Sequence, residues 1–179
     1  KVTEYFTFFA SIVAMGIIAN ISWLKTLFIP NKSYWSAIDI IPIIVIANLC
    51  FGIYYNLSTW YKVTDRTKIG TIISWMGALI TIVLNLVLLK KFGFMVSAWT
   101  TLAAYFTMMV LSYFLGQKYY PIPYRIKNIS LCLILLVVFS YVSYKLFNAN
   151  FWIGNLLFLI FTAIIVYSER RFVLSKLKR

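Results

Sequence analysis

Long apolar blocks separated by short polar and basic clusters run along the whole chain. A bilayer core about 30 Å thick requires roughly 20 apolar residues per helix, and six blocks come close to that length or exceed it. The predicted membrane spans are residues 5–23, 38–61, 69–89, 94–115, 129–146 and 151–167. Pro30, Gly93 and Pro121 stand in the breaks, where such residues end helices. The pattern predicts an all-α integral membrane protein, a bundle of six transmembrane helices.

Composition supports a membrane location over a soluble core. Of the 179 residues, 63% are hydrophobic and 12% charged, whereas soluble domains carry roughly 25% charged residues. Cys50 and Cys132 lie inside apolar blocks, where they are expected to pack as small hydrophobic residues.

The net charge of +13 reflects 17 Lys and Arg residues, which lie between the blocks and at the C-terminus. Membrane topology explains this placement, so membrane lipids, and not nucleic acid, are the expected partners. Twelve of these residues lie in segments on the side of the N-terminus and five in segments on the other side. Because Lys and Arg accumulate in cytoplasmic segments, both termini are predicted to be cytoplasmic.

Four successive spans each carry one stripe of polar or small residues on an otherwise apolar helix. The stripes are Thr7, Ser11, Ala14, Ser22 and Lys25; Asn48, Gly52, Tyr55, Asn56 and Thr59; Gly70, Ser74, Gly77, Thr81 and Asn85; and Ser97, Thr101, Ala104, Met108 and Ser112. Such stripes serve either as helix-packing seams or as walls of a solvated cavity. Packing is the simpler interpretation for the third stripe, and the second fits both. Together they suggest a bundle with a solvated interior face.

The last two spans are apolar on nearly every face, and we expect them to be peripheral helices that face lipid. The predicted organisation is four transmembrane helices (residues 1–116), a cytoplasmic loop (117–128), two additional transmembrane helices (129–168) and a basic cytoplasmic tail (169–179).

Residues for catalysis are scarce. The chain has no histidine and only four acidic residues, of which Asp39 opens a span, where a carboxylate caps a helix. Paired carboxylates, a zinc site or a Cys–His nucleophile cannot be assembled from this set. We therefore predict a non-enzymatic protein without catalytic residues, bound metal or cofactor.

A short motif joins the third and fourth spans. Leu84 and Asn85 close one helix, Gly93 forms the turn, and the next helix opens with Ser97, Ala98, Thr100 and Tyr105. This order resembles a recurring stretch of polysaccharide flippases in the multidrug/oligosaccharidyl-lipid/polysaccharide exporter superfamily. In this chain Lys90 and Lys91 stand where those flippases usually have a proline.

The resemblance implies one lobe of a two-lobe MATE-like transporter, followed by two peripheral C-terminal helices. Such proteins flip undecaprenyl-pyrophosphate-linked oligosaccharide across the bacterial inner membrane by alternating access, for O-antigen, capsule or exopolysaccharide biosynthesis. Other membrane proteins of polysaccharide assembly would then be partners. The chain begins at Lys1 without a methionine, and we expect it to be part of a longer, fourteen-helix protein.

A flippase of this kind needs a cation for the pyrophosphate and polar groups for the sugar. Lys25 is the candidate cation, although a lysine at this depth also fits a membrane-interface role. The candidate sugar-binding residues are Asn48, Tyr55, Asn56, Asn85 and Thr101. The alternatives are a MATE-type multidrug or cation exporter, which would use a buried acid, a glycan polymerase, and a structural membrane subunit.

Overall fold

The computed structural model describes residues 2–177, except for the side chains of Glu169 and residues 171–177. Every regular element in this range is helical. The elements are α1 (Val2–Ala19), α2 (Ile21–Phe28), a 3₁₀ helix (Lys32–Ile40), α3 (Ile41–Leu57), α4 (Thr59–Val63), α5 (Thr67–Phe92), α6 (Met95–Tyr119), α7 (Ile126–Tyr141), a π-helical turn (Val142–Leu146) and α8 (Phe151–Leu177). Residues 1, 178 and 179, which belong to the predicted first segment and basic tail, lie outside the described residues.

Within the described part of the chain, six helical segments are long and apolar enough to cross a membrane. They are Val2–Ala19, Lys32–Val63, Thr67–Phe92, Met95–Tyr119, Ile126–Leu146 and Phe151–Ser168. Each overlaps one predicted span, which confirms the prediction of a multi-pass, all-helical membrane protein. Beyond Ser168, α8 continues as a helix into the predicted tail as far as Leu177.

Three helix boundaries have a local cause that is visible in the sequence. Helix α2 ends at Phe28, before Pro30, which cannot continue a helix. Gly93 has a φ of 69° and forms the turn between α5 and α6. Asn148 and Ala149 have φ values of 48° and 53° in the short turn before α8.

Two predicted spans contain breaks that the apolar pattern does not show. Asn20 separates α1 from α2, and its side-chain Nδ2 donates to the Gly16 carbonyl at 3.0 Å. Ser58 separates α3 from α4, and its hydroxyl donates to the Tyr55 carbonyl at 2.6 Å. Side chains that bond to the preceding helical turn often bend helices, which accounts for both interruptions.

The chain divides into two compact units. Unit 1 comprises residues 1–6 and 36–125, and in it α6 packs against both α3 and α5. Glycines allow close approach in this packing. The indole of Trp60 lies against Gly116, and Met108 lies against Gly77, where a Cβ would collide with the neighbouring side chain.

Unit 2 comprises residues 7–35 and 126–179. A Cβ on Gly154 of α8 would lie 2.8 Å from the Ala19 carbonyl oxygen, so α8 and the end of α1 are in backbone contact. Beside this contact the amides of Asn20 and Asn155 donate to each other at 3.3 Å. Thr7 and Ser11, two residues of the polar stripe of α1, are fully buried.

The contacts therefore place most of α1 in the same unit as α7 and α8. The hydrophilic stripes had instead predicted that the first span belongs with the next three spans. The functional division at residues 116, 128 and 168 remains a prediction.

Candidate functional site

An open groove between α5 and α6 in unit 1 is lined in part by residues of the third and fourth predicted stripes. Its volume is about 380 Å³. The lining residues are Ser74, Gly77, Ala78, Thr81 and Ile82 of α5 with Tyr105 and Met108 of α6. Three of these, Ser74, Gly77 and Thr81, belong to the third predicted stripe, and Met108 belongs to the fourth.

The antiparallel packing of α5 and α6 places two predicted site residues, Asn85 of α5 and Thr101 of α6, at the same level. Gly77 meets Met108, and Thr81 lies beside Tyr105 in the groove. One turn further along α5 and one turn back along α6, this register places Asn85 opposite Thr101. The register therefore brings Asn85 and Thr101 to one level of the two helices, a turn beyond Thr81 and Tyr105, and neither residue lines the groove itself.

Asn85 offers an acceptor at this end. Its Nδ2 donates to the Thr81 carbonyl at 2.9 Å, which satisfies one donor within the helix. Its Oδ1 is buried, and among the described residues it has no hydrogen-bond partner. An unpaired amide oxygen in a membrane interior is costly, so it favours a ligand or water that donates to it. Thr101, in contrast, donates to the Ser97 carbonyl at 2.8 Å.

Next to the groove, three hydroxyl groups form a cluster that the stripes do not predict. The Tyr54 hydroxyl lies 3.2 Å from that of Tyr61 and 3.2 Å from that of Ser74, which also lines the groove. Tyr54 and Tyr61 are buried. Their spacing of seven residues places both on one helical face, and this spacing is a signal that could have identified the pair.

The other candidates on α3 lie apart from this cluster. Asn48 and Tyr55 are exposed, and the Nζ of Lys62 lies 4.5 Å from the centroid of the Tyr55 ring. Asn56 is half-buried, and its Nδ2 donates to the Gly52 carbonyl at 3.0 Å. On the side of α3 that packs in unit 1, the buried residues are apolar except for the Tyr54 hydroxyl and the Cys50 thiol.

Lys25 belongs to unit 2, at the end of α2. Its Nζ lies 4.7 Å from the centroid of the Trp35 ring, and the Trp35 indole N–H donates to the Ile29 carbonyl at 3.1 Å. Lys32 approaches the same ring at 6.0 Å. An aromatic face holds the ammonium group without neutralising its charge, so the lysine remains able to bind an anion.

No group of three or more His, Cys, Asp or Glu side chains among the described residues could hold a metal ion. The hydroxyl-bearing side chains of Ser74, Thr81 and Tyr105 stand among apolar residues in the groove lining, and such a lining suits a ligand held by a few hydrogen bonds and apolar contact. No family model matches the chain, and neither the curated proteins nor the solved structures contain a match to it.

Proposed function

We propose that the chain is the helical C-terminal part of a membrane flippase, one MATE-like lobe followed by two further helices. The transported molecule is an undecaprenyl-pyrophosphate-linked oligosaccharide, which crosses the bacterial inner membrane by alternating access during polysaccharide biosynthesis. The protein performs no covalent chemistry in this role. The observation that carries the proposal is the groove between α5 and α6, which Ser74, Thr81 and Tyr105 line, together with the buried, unpaired Oδ1 of Asn85 one helical turn beyond Thr81.

Sugars present many hydroxyl groups, each of which donates and accepts hydrogen bonds. The groove supplies matching groups at membrane depth, namely the hydroxyls of Ser74, Thr81 and Tyr105, and the free acceptor of Asn85 lies one helical turn beyond Thr81. Threonine hydroxyls such as that of Thr81 donate to their own helix backbone, so they cost little when no ligand is bound, whereas the unpaired Oδ1 of Asn85 gains from a ligand that donates to it. A groove of this kind favours transient contacts, which a transporter requires for release.

The pyrophosphate requires a positive charge as well as hydrogen-bond donors. Lys25 remains the proposed cation, since its ammonium group contacts the ring of Trp35 and no carboxylate among the described side chains pairs with it. Asn48, Tyr55 and Asn56 are the proposed sugar contacts on α3.

The test is complementation in a host from which the gene has been deleted. Thr81→Val and Asn85→Leu remove two polar groups at the groove and keep approximate side-chain volume. We expect surface polysaccharide to fall at least tenfold in the double variant, while lipid-linked oligosaccharide accumulates in the cytoplasmic leaflet. Tenfold corresponds to a loss of about 1.4 kcal/mol, which two hydrogen bonds readily supply.

Thr71→Val is the matched control, because Thr71 is exposed on the same helix, does not line the groove, and donates its hydroxyl to the Thr67 carbonyl at 3.3 Å. Each variant is compared at equal abundance in the membrane. Normal surface polysaccharide in the groove variant would remove the groove from the mechanism. Altered resistance to cationic drugs with unchanged polysaccharide would instead favour the exporter alternative.

A further inference from the structure

Aromatic rings and cations meet at one end of unit 1, where α4 and the loop after it approach the end of α6. We call this set the aromatic–cation collar; it consists of Trp60, Lys62, Arg66, Lys118 and Tyr119. It lies apart from the residues that line the α5–α6 groove, and its role does not depend on which molecule is transported.

Trp60 anchors the collar. Its side chain is only 2% exposed, and its indole N–H donates to the Ser112 carbonyl at 3.2 Å. The absence of a side chain at Gly116 makes room for this ring. Tyr119 stacks on Trp60 with the ring centroids 6.0 Å apart and the planes 20° from parallel. Tyr119 is therefore held in place although 41% of its surface is exposed.

Two cations approach the fixed ring of Tyr119. The Cζ of Arg66 lies 4.6 Å from its centroid, and the Nζ of Lys118 lies 5.8 Å away. Nearby, Lys62 contacts the Tyr55 ring. These contacts position the charges without neutralising them.

The hydrogen-bond donors of these cations have no protein acceptor within the described part of the chain. Neither Arg66, Lys62 nor Lys118 forms an ion pair with a described carboxylate. Asp65 lies next to Arg66 in the chain, is exposed and is the nearest acid in sequence, so the collar carries a net positive charge. A guanidinium that stacks through its face still presents its N–H groups along its edge, where they match the oxygens of a phosphate.

The depth of the collar identifies the ligand. Three membrane-spanning segments end here, at Val63, at Thr67 and at Tyr119, so the collar lies where the bilayer core meets its headgroups. The phosphate groups concentrated at that depth are those of phospholipids. Because the collar has more positive than negative charges, a headgroup with net negative charge fits it better than a zwitterionic one.

We propose that the aromatic–cation collar is a specific binding site for the phosphate of an anionic phospholipid, with Arg66 and Lys118 as its ligands. Tyr119 orients both cations.

The experiment measures lipid binding to the purified protein by native mass spectrometry, with phosphatidylglycerol and phosphatidylcholine as probes. We expect tighter binding of phosphatidylglycerol. Arg66→Gln combined with Lys118→Gln should weaken that binding about 30-fold, since each interfacial basic residue contributes about fivefold. Tyr119→Leu keeps both charges but loses the ring that orients them, and we expect a smaller loss of about threefold.

The matched control is Lys90→Gln combined with Lys91→Gln, which removes two positive charges at the other end of α5. It should leave phosphatidylglycerol affinity within about twofold of the parent protein. An equal loss in both double variants, or equal affinity for the two lipids, would overturn the assignment to a specific site. Binding of undecaprenyl pyrophosphate with no preference for phosphatidylglycerol would overturn the choice of phospholipid. Unchanged thermal unfolding in phosphatidylcholine confirms that each variant is folded.

Discussion

Glu4 carries a buried carboxylate in unit 1. The residue is 7% exposed, and its Oε1 lies 3.7 Å from the Nε of Arg125, which follows the loop after α6. Both side chains lose most of their hydration, so each charge depends on its surroundings for compensation. The sequence places Glu4 at a span end, where a carboxylate is usually solvated. Its burial arises because residues 1–6 pack with residues 36–125, a contact between distant parts of the chain.

We predict that Arg125→Ala lowers the free energy of unfolding by about 3 kcal/mol, because it leaves a buried carboxylate without its cation. Adding Glu4→Gln should recover at least half of this loss, since the amide needs no counter-ion. Thermal unfolding of the purified protein in detergent measures both effects. Lys127→Ala, an exposed change two residues away, should shift stability by less than about 0.5 kcal/mol. If the single and double variants are equally unstable, the two charges are not coupled.

At the scale of the helices, the sequence predicted which face of each helix carries the polar stripe. It did not predict whether that face is buried against another helix or lines a cavity. The stripe of α1 is buried at Thr7 and Ser11, whereas the stripe of α5 lines an open groove at Ser74 and Thr81. Both patterns consist of small and polar residues at helical spacing, which serves packing and cavities equally well. Only the partner helix decides between them, and a single sequence does not specify that partner.

This difference predicts how cysteines at the two stripes react with a small water-soluble maleimide. Thr81→Cys should be labelled readily, because the groove is open, whereas Ser11→Cys should react at least tenfold more slowly, because Ser11 has no exposed surface. The native thiols give a low background, since Cys50 and Cys132 are buried. The measurement is the labelling rate in reconstituted vesicles, with denatured protein as the reference for complete labelling. Rapid labelling at position 11 would show that the α1 stripe is accessible to water, contrary to the packing in unit 2.

For the molecule as a whole, the number of transmembrane helices could be predicted from local sequence patterns. Which helices pack against each other could not. Apolar length gave six helices, and Pro30 and Gly93 marked two of the turns. The backbone contact of Gly154 with Ala19 and the hydroxyl cluster around Tyr54 join residues far apart in the chain. The candidate site was therefore predictable in part. Asn85 and Thr101 were visible on their stripes, but the groove a turn away from them depends on the packing of α5 against α6.

Which end of each span faces the cytoplasm is a property of the whole chain, and it can be tested with single cysteines. The loops with residues 62–68 and 118–127 carry six Lys and Arg residues, whereas the turns at residues 90–93 and 145–150 carry three. Translocation of positively charged loops is disfavoured, so the first pair of loops should remain in the cytoplasm. The test positions are Thr67 and Tyr120 for those loops and Phe92 and Phe147 for the turns, all of which are exposed.

In intact spheroplasts treated with a membrane-impermeant maleimide, Phe92→Cys and Phe147→Cys should be labelled. Thr67→Cys and Tyr120→Cys should react only after the membrane is opened with detergent, because the reagent reaches one face of the bilayer. The reverse pattern would place the aromatic–cation collar at the outer leaflet. If only one cysteine of each pair is labelled, the two members of a pair lie on opposite sides of the membrane. That result would contradict six spans that alternate in direction, because such spans place both members of a pair on the same side. Either result would revise the topology while leaving the helical packing within each unit unchanged.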